Sequence, residues 1–180
     1  MQRSLLRSLV IALFPLIALA PIKSNAIDSN VVFNEINYHP EENNHLLEFI
    51  EIYNQNSVNV DLTGWKLTGG VDYSFNKNTI IEGGSYMVIA LDPETIKEVS
   101  GLAQVLGPYE GRLDNAGETI RLRNNNGRIM DQIGYNDKDP WPVSADGSGA
   151  TLSKLIPMTA SSPPENWTSS PQTSGTPGKI

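Results

Sequence analysis

The chain has 180 residues, no cysteine and a formal net charge of −7 at pH 7. That length predicts a single domain with short additional segments. The acidic balance argues against general binding to nucleic acids or anionic membranes, because both depend on clustered cations. The absence of cysteine excludes disulfide bonds and a lipid-modified amino-terminal cysteine.

Residues 1–26 have the pattern of a cleavable export signal. Arg3 and Arg7 give a positive start, and residues 9–20 form an apolar run of 12 residues, shorter than the roughly 20 that a membrane-spanning helix needs. Small residues at 24 and 26 predict cleavage between Ala26 and Ile27, with an uncleaved anchor as the alternative. Cleavage leaves 10 of the 13 basic residues against 20 acidic ones, a net charge of −10. We expect a monomer, free in the periplasm or outside the cell, with no stable membrane insertion.

Residues 27–156 read as one all-β domain, because short apolar runs alternate with Asn, Gly and Pro. The predicted strands cover residues 31–38, 46–54, 65–68, 85–91, 118–123 and 128–135. One short helix is predicted at residues 93–99. Residues 157–180 are rich in Pro, Ser, Thr and Gly, and they should be mostly irregular. Trp167 is the exception, since an isolated indole in such a segment usually docks on the protein.

A hairpin is the clearest local prediction. Ile120 and Leu122 alternate with arginines before an Asn-Asn-Asn-Gly turn at residues 124–127, where Asn and Gly tolerate positive φ. On the returning strand, Asp131 shares the parity of the apolar positions, so it should point inward. A buried carboxylate is costly unless it is hydrogen-bonded, and we expect Asp131 to accept bonds from backbone amides at a sheet end.

The order of motifs in residues 62–91 resembles the lamin tail domain. A turn and a tryptophan (Gly64-Trp65) open a short strand, Tyr73 and Phe75 follow, and Gly83-Gly84 precedes an apolar strand. Further similarity lies in residues 48–54, 111–118, 141–142, 146–152 and 176–178, and the resemblance covers roughly residues 31–135. It implies an immunoglobulin-like, two-sheet Greek-key β-sandwich. With the strand alternation, it predicts a core that contains Ile36, Ile50, Ile52, Trp65, Leu67, Phe75, Val88, Ile120, Leu122 and Ile133.

The same resemblance implies a class of function. Bacterial relatives occur in exported proteins, often attached to hydrolases, nucleases or kinases, where the domain is thought to be a noncatalytic interaction module. The chain has no heptad segment, so the filament assembly of lamins does not carry over.

Catalytic and zinc chemistry are poorly supported by the residues. Only His39 and His45 are available as a histidine base, both beside a polar turn where a solvated side chain is expected. No serine lies in a Gly-x-Ser-x-Gly elbow, and no Cys/His spacing suits zinc.

Calcium is a less remote alternative than zinc or histidine catalysis. Asp137, Asp139 and Asp146 crowd one late loop, and oxygen ligands suit calcium. Glu35, Glu48 and Glu51 lie on neighbouring predicted strands. Because none of these carboxylates has the spacing of a calcium loop, solvated carboxylates are the expected interpretation, and no other cofactor is predicted.

Two surface features suggest other ligands. Arg121, Arg123 and Arg128 lie on the predicted hairpin and would suit phosphate, although solvated charge is the simpler interpretation. A sugar platform is the second alternative, and its candidate aromatic residues are Tyr86, Tyr109, Trp141 and Trp167.

The loop at residues 136–149 is the predicted interaction site. Trp141 stands between two prolines, which stiffen the backbone, and Asp137, Asp139 and Asp146 surround it. Such an indole is either a binding hot spot or a plug that covers one end of the sandwich.

We therefore expect a noncatalytic extracellular or envelope module that binds a protein or a glycan. The alternatives are an accessory carbohydrate- or calcium-binding module of an exported hydrolase system, or an enzyme that acts on phosphoesters or polymers.

Overall fold

The structure is a computed structural model that describes residues 29–179, so the predicted export signal and its cleavage site lie outside the described residues. Within that range we number twelve strands and one α-helix. The strands are β1 (Val31–Asn37), β2 (Phe49–Asn54), β3 (Val60–Asp61), β4 (Lys66–Thr68), β5 (Val71–Ser74), β6 (Ile80–Ile81), β7 (Tyr86–Ala90), β8 (Glu110–Gly111), β9 (Thr119–Arg123), β10 (Ile129–Gly134), β11 (Leu152–Lys154) and β12 (Trp167–Ser169). The helix α1 spans Pro93–Ser100. No helix within residues 29–179 is both long and apolar enough to cross a membrane.

Two antiparallel sheets form an immunoglobulin-like sandwich, as the sequence predicted. The first sheet has the strand order β12-β11-β1-β2-β7, and the second has the order β10-β9-β4-β5-β8. A short β3–β6 pair completes the strand pairing that is seen between residues 29 and 179.

The core between the sheets contains the predicted side chains. All ten predicted core residues are buried, and nine of them belong to one hydrophobic cluster. Val88 instead packs with Phe49 and Ile96 in a second cluster. That cluster lies on the outer face of the first sheet, because Val88 and Phe49 have the opposite parity to the inward-facing Ile89 and Ile50.

Helix α1 covers this outer face. The residues at its two ends are helix-capping signals, and they account for the helix predicted at residues 93–99. Asp92 caps the helix by accepting a hydrogen bond from the backbone N of Thr95 at 2.8 Å, and Pro93 occupies the first helical position. Gly101 ends the helix with φ of 73°.

The first predicted strand and the later ones match the structure to within one or two residues at their ends, while the strand predicted from residue 46 begins only at Phe49. Residues His45–Leu47 form a 3-10 turn instead, closed by a hydrogen bond from the backbone N of Glu48 to the backbone O of His45. Several two- to four-residue strands were also missed, because so short a segment carries no readable alternation.

The segment after residue 156 is more ordered than its composition predicted. Trp167–Ser169 form β12, which pairs with β11 so that Trp167 stands opposite Lys154. Trp167 docks as expected, 4% exposed, with its indole N–H donating to the backbone O of Ser161 at 2.9 Å. The segment therefore adds an edge strand to the first sheet.

The β9–β10 hairpin and its buried acid follow the prediction. Gly127 has φ of 78° in the turn, and Asp131 is 4% exposed. Its carboxylate accepts from the backbone N of Phe33 at 2.8 Å and from that of Gln132 at 2.9 Å. Asp131 thus ties the second sheet to β1 of the first.

Candidate interaction site

A rigid hairpin loop with an apolar tip lies between β11 and β12, at residues 155–166. Leu155, Ile156 and Met158 are 59%, 56% and 66% exposed. We call these three side chains the apolar tip. Large apolar side chains grouped at the surface are typical of interaction sites, whereas isolated ones are common everywhere.

A buried lysine holds the loop in place. Lys154 is 6% exposed, and its Nζ donates to the backbone O of Thr159 at 2.6 Å. Its ammonium group also lies 5.6 Å from the centre of the Trp167 ring, as in a cation–π contact. Burial lowers the pKa of Lys154 to about 8, and the charge of Asp131 partly opposes that shift.

Hydrogen bonds at the other end complete the loop. Asn166 donates from its side chain to the backbone O of Ala160 at 2.9 Å, and the Ser161 hydroxyl donates to Asp131 at 2.5 Å. Burial raises the pKa of Asp131, while the hydrogen bond from Ser161 and the charge of Lys154 lower it. The apolar tip is therefore presented on a fixed backbone.

Trp141, the predicted centre of the loop at residues 136–149, is a plug. It is 8% exposed and belongs to the main core cluster. Its ring centre lies 6.4 Å from that of Trp167. Of the two alternatives for this indole, the structure shows the one in which it covers an end of the sandwich.

The three aspartates of that loop are not brought together as one cluster. Asp146 is bound to His39, with 2.5 Å between its Oδ1 and the imidazole Nδ1, and Asp139 is exposed. Burial raises the pKa of Tyr38, and the charges of Asp146 and Asp137 raise it further. Across residues 29–179, no group of three or more His, Cys, Asp or Glu side chains is arranged to hold a metal ion.

Both histidines are paired with carboxylates. His39 also contacts Asn43, with 2.9 Å between Nε2 and Oδ1. His45 contacts Glu48, with 2.6 Å between Nδ1 and Oε1, and Glu48 in turn accepts from the Tyr109 hydroxyl at 3.2 Å. These contacts orient the turn at residues 39–48 and its connection to β2.

The prediction that the strand glutamates are solvated is wrong. Glu35, Glu48 and Glu51 are each 0% exposed. Glu48 accepts from the backbone N of Leu113 at 3.1 Å, and Glu51 accepts from the Asn34 side chain at 2.8 Å. Strand alternation places Glu35 and Glu51 on the outer face, but it does not show that residues from the distant segment 172–179 cover that face.

The family model described as Lamin Tail Domain matches residues 25–137, well over half of the chain. The chain belongs to the lamin tail domain family. No curated protein matches it. The matched region of this lamin tail domain ends before β11, so the apolar tip lies outside it.

In this lamin tail domain, the structure does not form the predicted sugar platform, and it gives one residue of the arginine stripe a local structural role. Of the four aromatic residues proposed as a sugar platform, Tyr109, Trp141 and Trp167 are buried, and Tyr86 stacks on Tyr53 with 4.7 Å between ring centres. In the arginine stripe, Arg123 donates to the backbone O of Gly127 at 2.9 Å. That arginine closes its own hairpin.

The sequence analysis did not predict the apolar tip, because the tip borders a segment that was judged irregular from its composition. Leu155 and Ile156 lie at the end of the predicted domain, and Met158 lies in residues 157–180, whose Ser and Pro content predicts an irregular tail. One signal was available: Trp167 was expected to dock, and docking it fixes the far end of the loop.

Proposed function

We propose that this lamin tail domain is a noncatalytic interaction module of the cell envelope or the extracellular space, and that it captures a protein partner through the apolar tip. The family is one of non-enzymatic, immunoglobulin-like domains, and membership suggests an interaction or scaffold role. The observation that carries the proposal is the rigid loop that exposes Leu155, Ile156 and Met158.

The geometry of the loop favours binding. Side chains on a fixed backbone lose less entropy when a partner covers them than side chains on a mobile loop. Lys154 binds the backbone O of Thr159, and Asp131 binds the side-chain hydroxyl of Ser161, so both hold the loop from inside the sandwich. The tip therefore combines apolar area with a low cost of ordering.

The chemistry of the tip favours a protein over a glycan. Sugars bind aromatic faces, whereas the tip is aliphatic and contains a methionine, which suits an apolar pocket on a protein. The acidic balance of the chain further favours a partner with basic groups around such a pocket.

Capture from native envelope extract tests the proposal with matched variants. The double variant Leu155→Ser, Met158→Ser removes the tip, and Val58→Ser is the control, since Val58 is 63% exposed on a different loop. We expect a defined protein to be retained by the wild type and by Val58→Ser. The affinity for it should fall about thirtyfold with the double variant, the effect of losing a hot spot worth about 2 kcal/mol.

The competing enzyme hypothesis predicts a different result. Turnover of phosphoester, peptide or glycan substrates by the purified protein, unchanged in the double variant, would contradict a noncatalytic role. Equal retention by all three proteins would show that the apolar tip is not the surface that binds the retained protein.

A further inference from the structure

Three cationic side chains lie together on the outer face of the second sheet. Ile120 and Leu122 point into the core, so alternation along β9 turns Arg121 and Arg123 outward. The neighbouring strand β4 adds Lys66, which stands directly opposite Arg123. We call Lys66, Arg121 and Arg123 the basic strip. The predicted arginine stripe did not contain Lys66, because only the pairing of β4 with β9 brings this lysine there.

Within residues 29–179, no carboxylate forms an ion pair with the basic strip. The ion pairs of that range use other cationic side chains, namely His39, His45, Lys97 and Lys138. Arg123 donates to the Thr68 hydroxyl at 3.3 Å and to the backbone O of Gly127 at 2.9 Å, and both acceptors are uncharged. Like charges directly opposite each other on antiparallel strands destabilise a sheet. An anion bound between Lys66 and Arg123 would replace this repulsion with attraction.

The spacing of the basic strip suits phosphate or sulfate groups. Opposed residues on antiparallel strands have Cβ atoms about 5 Å apart, and alternate residues along one strand are about 7 Å apart. Three long side chains at those positions can reach one such group or two successive ones. A guanidinium group also binds two oxygens of such an anion at once. Thr68 and Gln132, the two residues opposite Arg121, add hydrogen-bonding groups at the same position.

The acidic edge of the same sheet favours a linear ligand over a flat one. Asp72 and Glu110 stand opposite each other on β5 and β8, and both are exposed. Strand β8 is the last of this sheet, two strands beyond β4. A planar surface of anionic lipid would bring negative charge against these acids, whereas a linear polymer can follow β9 and avoid them. The charge pattern therefore favours a polymer.

The side chains of this face favour a glycan over a nucleic acid or a protein. The outward-facing residues of β4 and β9 include no aromatic side chain, and they are Lys66, Thr68, Thr119, Arg121 and Arg123. Proteins that bind single-stranded nucleic acids stack the bases on aromatic rings. Protein partners need an apolar centre at the interface, and no large apolar side chain that is exposed between residues 29 and 179 lies on β4 or β9. An anionic glycan is held through its charged groups, so it needs neither feature.

We propose that the basic strip binds a linear glycan that carries phosphate or sulfate groups. The strip lies on β4 and β9 of the second sheet, whereas the apolar tip follows β11 of the first. The inference therefore does not depend on the proposed function. With both surfaces, one copy of the domain holds a glycan and a protein at the same time.

Binding to dextran sulfate, with uncharged dextran as the matched control, tests the proposal. The purified wild-type protein should bind dextran sulfate but not dextran at low ionic strength, because the contacts are ionic. The double variant Lys66→Gln, Arg121→Gln removes two charges of the strip. Its affinity for dextran sulfate should fall at least about tenfold, and the slope of log affinity against log salt concentration should flatten by about 2.

The double variant Arg112→Gln, Lys138→Gln controls for net charge. Both residues are exposed and lie outside the strip, so the same number of charges is removed elsewhere. Its affinity for dextran sulfate should stay within about twofold of the wild type, since charges away from the site are screened. Dextran sulfate should also raise the melting temperature of the wild type and of this control more than that of the strip variant.

Several results would overturn the inference. An equal loss of affinity in the two double variants would show that net charge, and not the strip, decides binding. The same conclusion against the strip follows if the wild type does not bind dextran sulfate at low ionic strength. Tighter binding to single-stranded oligothymidylate, or to vesicles of phosphatidylglycerol, would assign the strip to a nucleic acid or to a membrane instead.

A single substitution keeps the test decisive if the strip variant loses its β-type circular dichroism spectrum. Lys66→Gln changes one exposed side chain and removes the like charge opposite Arg123. It should flatten the salt slope by about 1 without lowering the melting temperature of the free protein. An affinity and a salt slope equal to those of the wild type would contradict the proposal.

Discussion

Buried carboxylates connect distant parts of this chain. Glu48 joins the start of β2 to the backbone of Leu113, Asp131 joins β10 to Phe33, and Glu35 joins β1 to Thr176. Each acid accepts hydrogen bonds that would otherwise be missing at a loop or a strand end, which offsets the cost of burying it. The inward position of Asp131 was predictable from parity alone. The burial of Glu35 and Glu51 was not, because it depends on residues that lie more than 100 positions away in the sequence.

Glu51 should make stability depend on pH. Burial raises its pKa to about 8, against an ordinary value of 4.5, and hydrogen bonds from Gly178 and Asn34 only partly oppose the shift. Because the folded state holds this proton more tightly than the unfolded state, the free energy of unfolding should fall as pH rises from about 4.5 to about 8. The fall from this one group is at most about 1.4 kcal/mol per pH unit.

Urea denaturation of the wild type and of Glu51→Gln at pH 5, 7 and 9 measures this slope. The variant should lose the part of the slope that Glu51 supplies, and Glu82→Gln, at an exposed position, controls for removing a carboxylate. A difference between wild type and Glu51→Gln that stays constant with pH would show that Glu51 does not titrate in this range.

Trp141→Ala should be strongly destabilising, because the indole fills one end of the core beside Trp167. Truncating a buried tryptophan typically costs about 3–5 kcal/mol. Thermal melting measures the loss, and Val143→Ala, two residues away and exposed, should change stability by no more than about 0.5 kcal/mol. An unchanged melting temperature for Trp141→Ala would mean that the indole is not a structural plug.

At the scale of elements, the β11–β12 hairpin decides where the molecule presents apolar surface. Trp167 and Lys154 stand opposite each other across the two strands. The loop between them is held by the hydrogen bonds of Thr159, Ser161 and Asn166. The docking of Trp167 was predictable, since a lone indole rarely stays in water. The pairing of its three-residue strand with β11 was not, because such short strands are defined by their neighbours and not by their own pattern.

Lys154→Met should loosen this loop while keeping the hairpin. Methionine retains an apolar stem against Trp167 but removes the donor to the backbone O of Thr159. Hydrogen exchange of the backbone amides in residues 155–162 should become faster. Lys138→Met is the control, because its side chain is 79% exposed. Equal exchange rates in wild type and Lys154→Met would show that the lysine does not hold the loop.

At the scale of the whole molecule, the sandwich and its core were readable from the sequence. The hydrophobic positions alternate in the longer strands, and turn residues separate them, so that Ile36, Ile50 and Ile120 face one core. The segments that pack on the outside of the sandwich could not be predicted from the sequence. Residues 172–179 belong to a Ser/Pro-rich segment whose composition predicts irregular structure, and the apolar tip lies where that segment begins. The positions of both follow from contacts with Glu35, Glu51 and Asp131.

Export is a separate prediction at this scale. The positive start and short apolar run of residues 1–26 predict cleavage after Ala26. Amino-terminal sequencing of the exported protein should read Ile27 first. Recovery of the intact chain in a membrane fraction would instead support an uncleaved anchor.

Site-specific photo-crosslinking tests the central claim, that the apolar tip is where a partner binds. A photoreactive residue placed at Met158 should crosslink a single protein in the native envelope. The same residue placed at Val58, similarly exposed on another loop, should crosslink none above background. A partner that crosslinks equally from both positions, or from Val58 alone, would show that the apolar tip is not the binding surface.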